Sequence, residues 1–105
     1  MSNRVVITGE GSISPLGLSS KNLWNNLIHG KSGIKLIENF DTENFNVKIA
    51  GEITDFDPLT FFEHKESRKL DRYTMFAMIA ADQAIKSSGL DSSNLSLIHN
   101  RRCRR

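Results

Sequence analysis

A short β-branched run near the N-terminus constrains the fold of this 105-residue chain more than any other feature. Residues Arg4–Thr8 read RVVIT and are followed by Gly9, so apolar side chains succeed one another instead of alternating with polar ones. Such a run predicts a strand buried on both faces of a parallel sheet. That strand needs neighbours on both edges and cover on both sides, which the rest of the chain does not supply. We therefore expect an α/β fold that is incomplete.

Two helices are predicted from apolar periodicity and from the residues at their ends. The first spans about 19–29, with a serine as N-cap, and Gly30 closes it. The second spans Asp71–Ser88, and Gly89 ends it. A stripe of small and aromatic side chains on the second helix suits close packing against another helix or a sheet: Tyr73, Phe76, Ala77, Ala80, Ala81, Ala84 and Ile85.

The segments between the helices carry weaker signals. Val47–Ile53 predicts a second strand, with Gly51 at a bulge or a close approach. Asp57 and Pro58 predict the start of a short helical turn, with the aspartate as N-cap and the proline at the first helical position. The loop Gly9–Gly17 contains three glycines and a proline, so it is expected to be neither regular helix nor strand.

Composition excludes several classes of protein. Hydrophobic residues make up 38% of the chain and charged residues 25%, which is typical of a globular protein. No apolar run approaches the ~20 residues of a transmembrane helix, and the first residues lack the pattern of a signal peptide. We expect a cytoplasmic protein without a membrane partner. One cysteine, Cys103, gives neither a disulfide framework nor metal-ligand spacing. We expect no cofactor and no metal site.

The positive charge is concentrated in the segment 99–105, HNRRCRR. The chain has 14 Lys and Arg against 12 Asp and Glu, a formal net charge of +2. Without the four arginines of this segment the net charge is −2, from ten basic and twelve acidic residues. An arginine cluster is one form of nucleic-acid patch. No fold signal or aromatic platform accompanies it here, so we expect no nucleic-acid partner.

Five sequence blocks together resemble one family. They are RVVITGEGSISPLG at 4–17, a tryptophan-bearing helix ending in GKSGI at 30–34, FDT at 40–42, IAGEITDFDP at 49–58 and KESRKLDRYTMFAMIAADQAIKSSGL at 65–90. In this order and spacing, over about residues 3–98, they resemble the start of the elongating β-ketoacyl-[acyl-carrier-protein] synthases of type II fatty-acid synthesis. SPLG, FDT and RKLDRY are similar to the synthase II subtype rather than to synthase I.

The resemblance implies the N-terminal portion of a thiolase-like αβαβα fold, with residues 1–98 in the N-terminal domain of a homodimeric acyltransferase. In the implied reaction, an acyl chain is held as a thioester on a cysteine. Malonyl-acyl-carrier protein then loses CO2, and the resulting carbanion extends the acyl chain by two carbons. The catalytic cysteine and two histidines of the family fall beyond residue 105. The resemblance thus implies that residues 1–105 alone are inactive, and that none of these residues is catalytic: His29, His64, His99 and Cys103.

Lys65, Arg68 and Lys69 are the candidate binding residues. Their spacing of three and four places them on one face of a helical turn. The residues alone favour a solvated helix start. The resemblance implies docking of an acyl carrier protein, because basic residues at these positions of the family contact the acidic helix of that partner, and such charges steer transient complexes.

Two rival functions are open. The glycines of the loop Gly9–Gly17 allow a phosphate-binding interpretation, as in a nucleotide-dependent α/β enzyme, although neither G-x-G-x-x-G nor a P-loop lysine is present. The resemblance implies that this loop is structural. The second rival is a non-enzymatic module that docks an acidic carrier protein through Lys65, Arg68 and Lys69. Glu10 stands where the family usually has an apolar residue, so it either faces solvent or, if buried and unpaired, costs stability.

Segment 99–105 departs from the family, in which an apolar strand leads at this point into a glycine-rich turn. A frameshift is one hypothesis, because arginine codons of the AGG type become glycine codons when they are read one nucleotide later. In that frame the segment can encode Ile-Thr-Gly-Gly-Val-Gly-Gly, which resembles the glycine-rich turn.

Overall fold

The computed structural model describes residues 2–90, which form a small α/β unit. Its elements in chain order are α1 Ser20–Ile28, β1 Ile34–Leu36, β2 Ile49–Gly51, a 3₁₀ helix Pro58–Thr60, α2 His64–Ser67 and α3 Arg72–Ser88. Within these residues the sheet consists of β1 and β2, paired antiparallel with Ile34 opposite Gly51. No helix of this part of the chain is both long and apolar enough to cross a membrane.

The ends of the two long helices follow local signals in the sequence. Ser19 caps α1, and its side chain accepts a hydrogen bond from the Asn22 amide at 3.3 Å. Gly30 follows α1 and Gly89 ends α3, with φ angles of 68° and 71°. This left-handed conformation costs glycine little. The helices predicted over about 19–29 and 71–88 are therefore confirmed.

The connection between the helices is partly as predicted. The Asp57 carboxylate caps the 3₁₀ helix by accepting a hydrogen bond from the Leu59 amide at 3.0 Å, and Pro58 is its first residue. The predicted strand Val47–Ile53 is wrong in length, because only β2 within it is paired. Its partner β1 was not predicted. A Cβ added to Gly51 would lie 3.2 Å from Pro15 Cγ, so the predicted close approach at Gly51 is confirmed.

The prediction of a buried strand at Arg4–Thr8 is wrong for the structure described here. This segment is not assigned to a strand, and Val5, Val6 and Ile7 are 94%, 69% and 91% exposed. A strand exists only through hydrogen bonds to a neighbouring strand. Residues 2–90 contain no segment paired with Arg4–Thr8. This segment therefore has a sequence that favours a strand but no partner strand within residues 2–90.

Helix α3 buries a face that only partly overlaps the predicted stripe. Met75 and Ile79 are each 5% exposed and form the buried hydrophobic core of the described residues. Three residues of the predicted stripe, Phe76, Ala80 and Ala84, are half-buried beside them. The other members of that stripe are exposed: Tyr73, Ala77, Ala81 and Ile85. Apolar side chains surround much of α3, so periodicity alone did not identify the face that packs.

The glycine-rich loop lies directly on the backbone of α3. A Cβ added to Gly9 would collide with the carbonyl oxygen of Ala84, and one added to Gly11 with that of Ala80. Only residues without a side chain allow two backbones to approach this closely. Glu10, between the two glycines, is exposed, so of its two alternatives the structure shows the solvent-facing one.

Candidate functional site

The three predicted binding residues come together on one helical turn, which we call the basic turn (residues 64–69). Lys65 lies within α2, Arg68 ends it with helical backbone angles, and Lys69 follows. Backbone hydrogen bonds of 2.9 and 3.0 Å, donated by the amides of Ser67 and Lys69, continue the turn to its end. A spacing of three and four residues along a helical turn places the three cations on one face.

The cations of the basic turn face solvent. Lys65, Arg68 and Lys69 are all exposed, and none of them forms an ion pair within residues 2–90. Exposed charges act over about 8–10 Å at ordinary salt concentrations, so they attract an oppositely charged surface before contact. The basic turn is therefore available to an acidic partner.

The opposite side of the basic turn holds it to the protein. Ser67 and Leu70 are half-buried there, and the Ser67 hydroxyl donates to the His64 carbonyl oxygen at 3.0 Å. Helix α2 packs against the 3₁₀ helix that precedes it. The Phe62 amide, in the link between them, donates to the Pro58 carbonyl oxygen at 2.9 Å. The turn thus has an attached side and a charged side.

The histidines of the described residues occupy a helix end and the surface. Within residues 2–90 there is no group of three or more His, Cys, Asp and Glu side chains that could hold a metal ion. His29 places its Nδ1 atom 2.6 Å from the Asn25 carbonyl oxygen at the end of α1, and His64 is exposed at the start of α2. These are the capping and surface roles expected. His99 and Cys103 lie outside the described residues.

Several backbone amides of the loop 9–17 are engaged within the protein instead of being free for a phosphate. A phosphate site of this kind needs several backbone amides directed at the ligand. Here the Ser12 amide donates to Gln83 Oε1 at 3.1 Å, while Ser14 and Gly17 exchange backbone hydrogen bonds of 2.9 and 3.1 Å. These amides are used within the protein. These hydrogen bonds, together with the close approach of Gly9 and Gly11 to the backbone of α3, favour the structural interpretation of the loop over the phosphate-binding one.

The structural roles of two residues, Gln83 and Arg72, were not predicted from the sequence. Gln83 clamps the glycine-rich loop to α3, because its Nε2 also donates to the Leu18 carbonyl oxygen at 2.6 Å. Arg72 lies over the rings of Phe56 and Phe76, with its guanidinium carbon 5.9 and 5.4 Å from their centroids. The sequence places Gln83 next to Ala84 of the predicted stripe, but both the hydrogen bonds of the glutamine and the stacking of Arg72 depend on tertiary structure.

The geometry describes an exposed cationic turn on an open α/β unit, and comparison with known proteins gives the family. The sequence matches the family described as "Beta-ketoacyl synthase, N-terminal domain" over residues 2–102. The chain belongs to the β-ketoacyl synthase family. The resemblance that the five sequence blocks predicted is thereby confirmed. The match runs into segment 99–105, and the predicted boundary at residue 98 stays a prediction.

Curated relatives of this β-ketoacyl synthase chain agree in name. Over 88 residues it is 43% identical to 3-oxoacyl-[acyl-carrier-protein] synthase 2 of Staphylococcus aureus (strain COL) and 48% identical to the protein of that name from Coxiella burnetii (strain RSA 493 / Nine Mile phase I). Each alignment covers 84% of this chain and 21% of the relative. The chain thus spans about a fifth of the length of these relatives. Their shared name agrees with the predicted synthase II subtype.

Solved structures of ketosynthases share the fold of the chain. The ishigamide ketosynthase/chain length factor is 34% identical with a TM-score of 0.74, covering 87% of this chain and 23% of that one. A ketosynthase solved in complex with its type II polyketide acyl-carrier protein is 25% identical with a TM-score of 0.65, covering 91% and 25%. Residues 2–90 are therefore a partial α/β piece with the backbone arrangement of a ketosynthase.

Proposed function

We propose that this chain forms the N-terminal part of a 3-oxoacyl-[acyl-carrier-protein] synthase with a thiolase-like αβαβα fold, residues 1–98 belonging to its N-terminal domain. The complete enzyme condenses an acyl thioester with malonyl-acyl-carrier protein and releases CO2 in fatty-acid elongation. A homodimer in the cytoplasm is part of the same proposal. The observation that carries it is the identity of 43% and 48%, over 88 residues, to two proteins named synthase 2.

The chain's contribution to this reaction is structural support and partner binding. The cysteine and two histidines that the family uses for catalysis have no counterpart among residues 2–90, whose histidines are a helix cap and a surface residue. Residues 1–105 by themselves are therefore proposed to be inactive. Condensation needs the remaining, larger share of a synthase, of which this chain corresponds to about a fifth.

The acyl carrier protein is the proposed partner of the basic turn. Lys65, Arg68 and Lys69 are exposed on one face without ion pairs in the described part of the chain. Cations of this kind suit a partner that must bind, deliver a substrate and leave, because they raise the association rate more than the final affinity. The complex of a related ketosynthase with its carrier protein supports this assignment.

A hybrid enzyme tests the proposed function. In it, residues 2–90 of this chain replace the corresponding N-terminal residues of the S. aureus synthase, which supplies the rest of the fold. We expect the purified hybrid to condense acyl-acyl-carrier protein with malonyl-acyl-carrier protein and to release one CO2 for each 3-oxoacyl product formed. The unaltered S. aureus synthase is the positive control. A hybrid that is folded and dimeric but does not condense the two substrates would overturn the proposal.

The non-enzymatic module is the second candidate, favoured by an exposed basic turn in residues 2–90, which contain no cysteine. It differs from the first in one measurable respect. A binding module holds the carrier protein as the 105-residue chain alone, whereas the synthase proposal expects binding only when the whole fold is present. Titration of labelled carrier protein with the 105-residue chain distinguishes the two.

Changing Lys65, Arg68 and Lys69 together to alanine in the hybrid enzyme is expected to weaken carrier binding. Each exposed charge pair contributes roughly 0.2–1 kcal/mol, so the triple change should cost about 1–3 kcal/mol of binding free energy. The loss should shrink at high salt, because salt screens exposed charges. Fluorescence titration at two salt concentrations measures both effects.

The matched control removes the same charge elsewhere. Lys21, Lys31 and Lys48 are also exposed and form no ion pair within residues 2–90. Their triple alanine variant should bind the carrier as the parent hybrid does. Unchanged affinity and salt dependence in the Lys65, Arg68 and Lys69 variant would reassign the basic turn to a solvated helix start.

A further inference from the structure

Arg72, the first residue of α3, is held by three contacts. Its guanidinium carbon lies 5.9 Å from the Phe56 centroid and 5.4 Å from the Phe76 centroid. Its Nη2 donates a hydrogen bond to the carbonyl oxygen of Ile53. A planar guanidinium can stack on rings and direct a hydrogen bond in the same plane, whereas a lysine ammonium cannot do both. The carbonyl of Ile53 and the start of α3 are thereby fastened together.

Phe56 also contacts a third ring, Phe61, which lies three residues before the basic turn. Phe56 stacks on Phe61 with a centroid distance of 5.9 Å and an angle of 15°, and meets Phe76 edge-on at 5.0 Å and 73°. The four side chains form one cluster, which we call the aromatic clamp: Arg72, Phe56, Phe61 and Phe76. It joins the end of the 3₁₀ helix to the first turns of α3.

The clamp closes the base of the segment that carries the docking cations. Phe61 lies just before this segment, 62–71, and Arg72 lies just after it. Fixing both ends of a short segment reduces the conformations open to it, and a segment ordered in advance loses less entropy on binding. We propose that Arg72 is a positioning residue for the basic turn, acting through the aromatic clamp to order Lys65, Arg68 and Lys69 for an acidic partner. The inference rests on the proposed carrier docking.

Arg72 could act by ordering the basic turn or by its charge alone, and the two roles predict different effects of substitutions at residue 72. If Arg72 contributes only its positive charge, lysine replaces it and Phe56 is irrelevant. If it acts through the clamp, lysine fails because it cannot hold the ring stack and the Ile53 carbonyl together. Truncation of Phe56 then has the same effect as truncation of Arg72, although no charge changes.

The test compares Arg72→Ala, Arg72→Lys and Phe56→Ala in the hybrid enzyme, with Lys21→Ala as the control that removes one exposed charge on α1. Each clamp variant is expected to weaken acyl-carrier-protein binding about three- to tenfold. The slope of log Kd against log salt concentration should stay at the parent value, because the docking cations are intact. Lys21→Ala should bind as the parent does. If Phe56→Ala fails to fold, Phe56→Leu takes its place.

A second readout needs no carrier protein. Hydrogen exchange of the Ser67 and Lys69 amides, which close the turn, should become several-fold faster in every clamp variant. Wild-type affinity in Arg72→Lys, or unchanged exchange of these amides in all variants, would overturn the positioning role. If the parent hybrid does not bind carrier protein, the proposed function fails, while the exchange measurement still decides whether the clamp orders the turn.

Discussion

Two apolar stretches of the chain, α3 and Arg4–Thr8, differ sharply in how much of their surface is covered. Met75 and Ile79 of α3 are 5% exposed, whereas Val5 and Ile7 are 94% and 91% exposed. A helix satisfies its backbone hydrogen bonds internally, so it needs only one surface to pack on. A strand depends on neighbours for its hydrogen bonds as well as for its cover. The difference shows that residues 2–90 supply a packing surface for α3 but no partner strand for Arg4–Thr8.

Helix α1 lies between these extremes. It is well formed and capped, yet Trp24, Leu27 and Ile28 on its apolar stripe are 65%, 51% and 58% exposed. Large exposed apolar surfaces mark places where another part of a protein packs. Local signals thus build the helix, while its packing depends on the larger synthase fold that we propose.

The largest expected effect is that of truncating Ile79 or Ile7. The two truncations should act alike in the hybrid enzyme and differently in the 105-residue chain. In the hybrid enzyme both Ile79→Ala and Ile7→Ala should lower the free energy of unfolding by about 2–5 kcal/mol, because the rest of the sheet is present to bury Ile7. In the 105-residue chain only Ile79→Ala should reduce the helical circular dichroism signal. Urea unfolding of the hybrid and far-ultraviolet spectra of the chain measure the two cases. A similar loss of helix from Ile7→Ala in the chain would break the comparison.

Gly11→Ala should have the next largest effect, about 1–3 kcal/mol of unfolding free energy in the hybrid, as is typical of overpacking. The added Cβ would collide with the Ala80 carbonyl oxygen, so the loop must move away from α3. Glu10→Ala is the matched control: this exposed neighbour should change stability by no more than about 0.5 kcal/mol. Equal stability of the two variants would show that the loop does not lie on α3.

Gly89→Ala should have the smallest effect. It should lower the free energy of unfolding of the hybrid enzyme by about 1 kcal/mol, because alanine adopts the left-handed conformation at a modest cost. A Cβ at this position meets no other atom within 4 Å, so backbone conformation is the cause that the variant tests. Gly89→Asn should recover part of the loss, since asparagine tolerates positive φ better. Thermal unfolding of both variants gives the order, and a more stable alanine variant would contradict it.

Features set by neighbouring residues were predictable from the sequence. The caps at Ser19 and Asp57 and the left-handed glycines at 30 and 89 depend on a few adjacent residues, and the structure places them as expected. The strand at Arg4–Thr8 depends on partners distant in sequence, so its own composition could not guarantee it. Strand β1 has three exposed residues, IKL, and no apolar alternation long enough to identify it.

The candidate site also combines features that the sequence predicts with features that depend on tertiary contacts. The spacing of Lys65, Arg68 and Lys69 within one turn is local, and their common exposed face was predicted. The contacts of Arg72 with Phe56 join residues 16 positions apart in the sequence, and no periodicity indicates which rings will meet. The fold family was recognised from sequence blocks in register, whereas the packed face of α3 required coordinates.

Unfolding of the 105-residue chain tests most directly the claim that residues 1–105 are part of a larger synthase fold. The measurement is urea or thermal unfolding followed by circular dichroism, with the hybrid enzyme as the reference and sedimentation to establish that the chain is monomeric. The account predicts partial helix that melts without a cooperative transition, since complete domains are stable by only about 5–15 kcal/mol and this chain leaves much apolar surface exposed. A sharp, reversible transition of the monomer would contradict it and show that residues 1–105 are a domain in their own right.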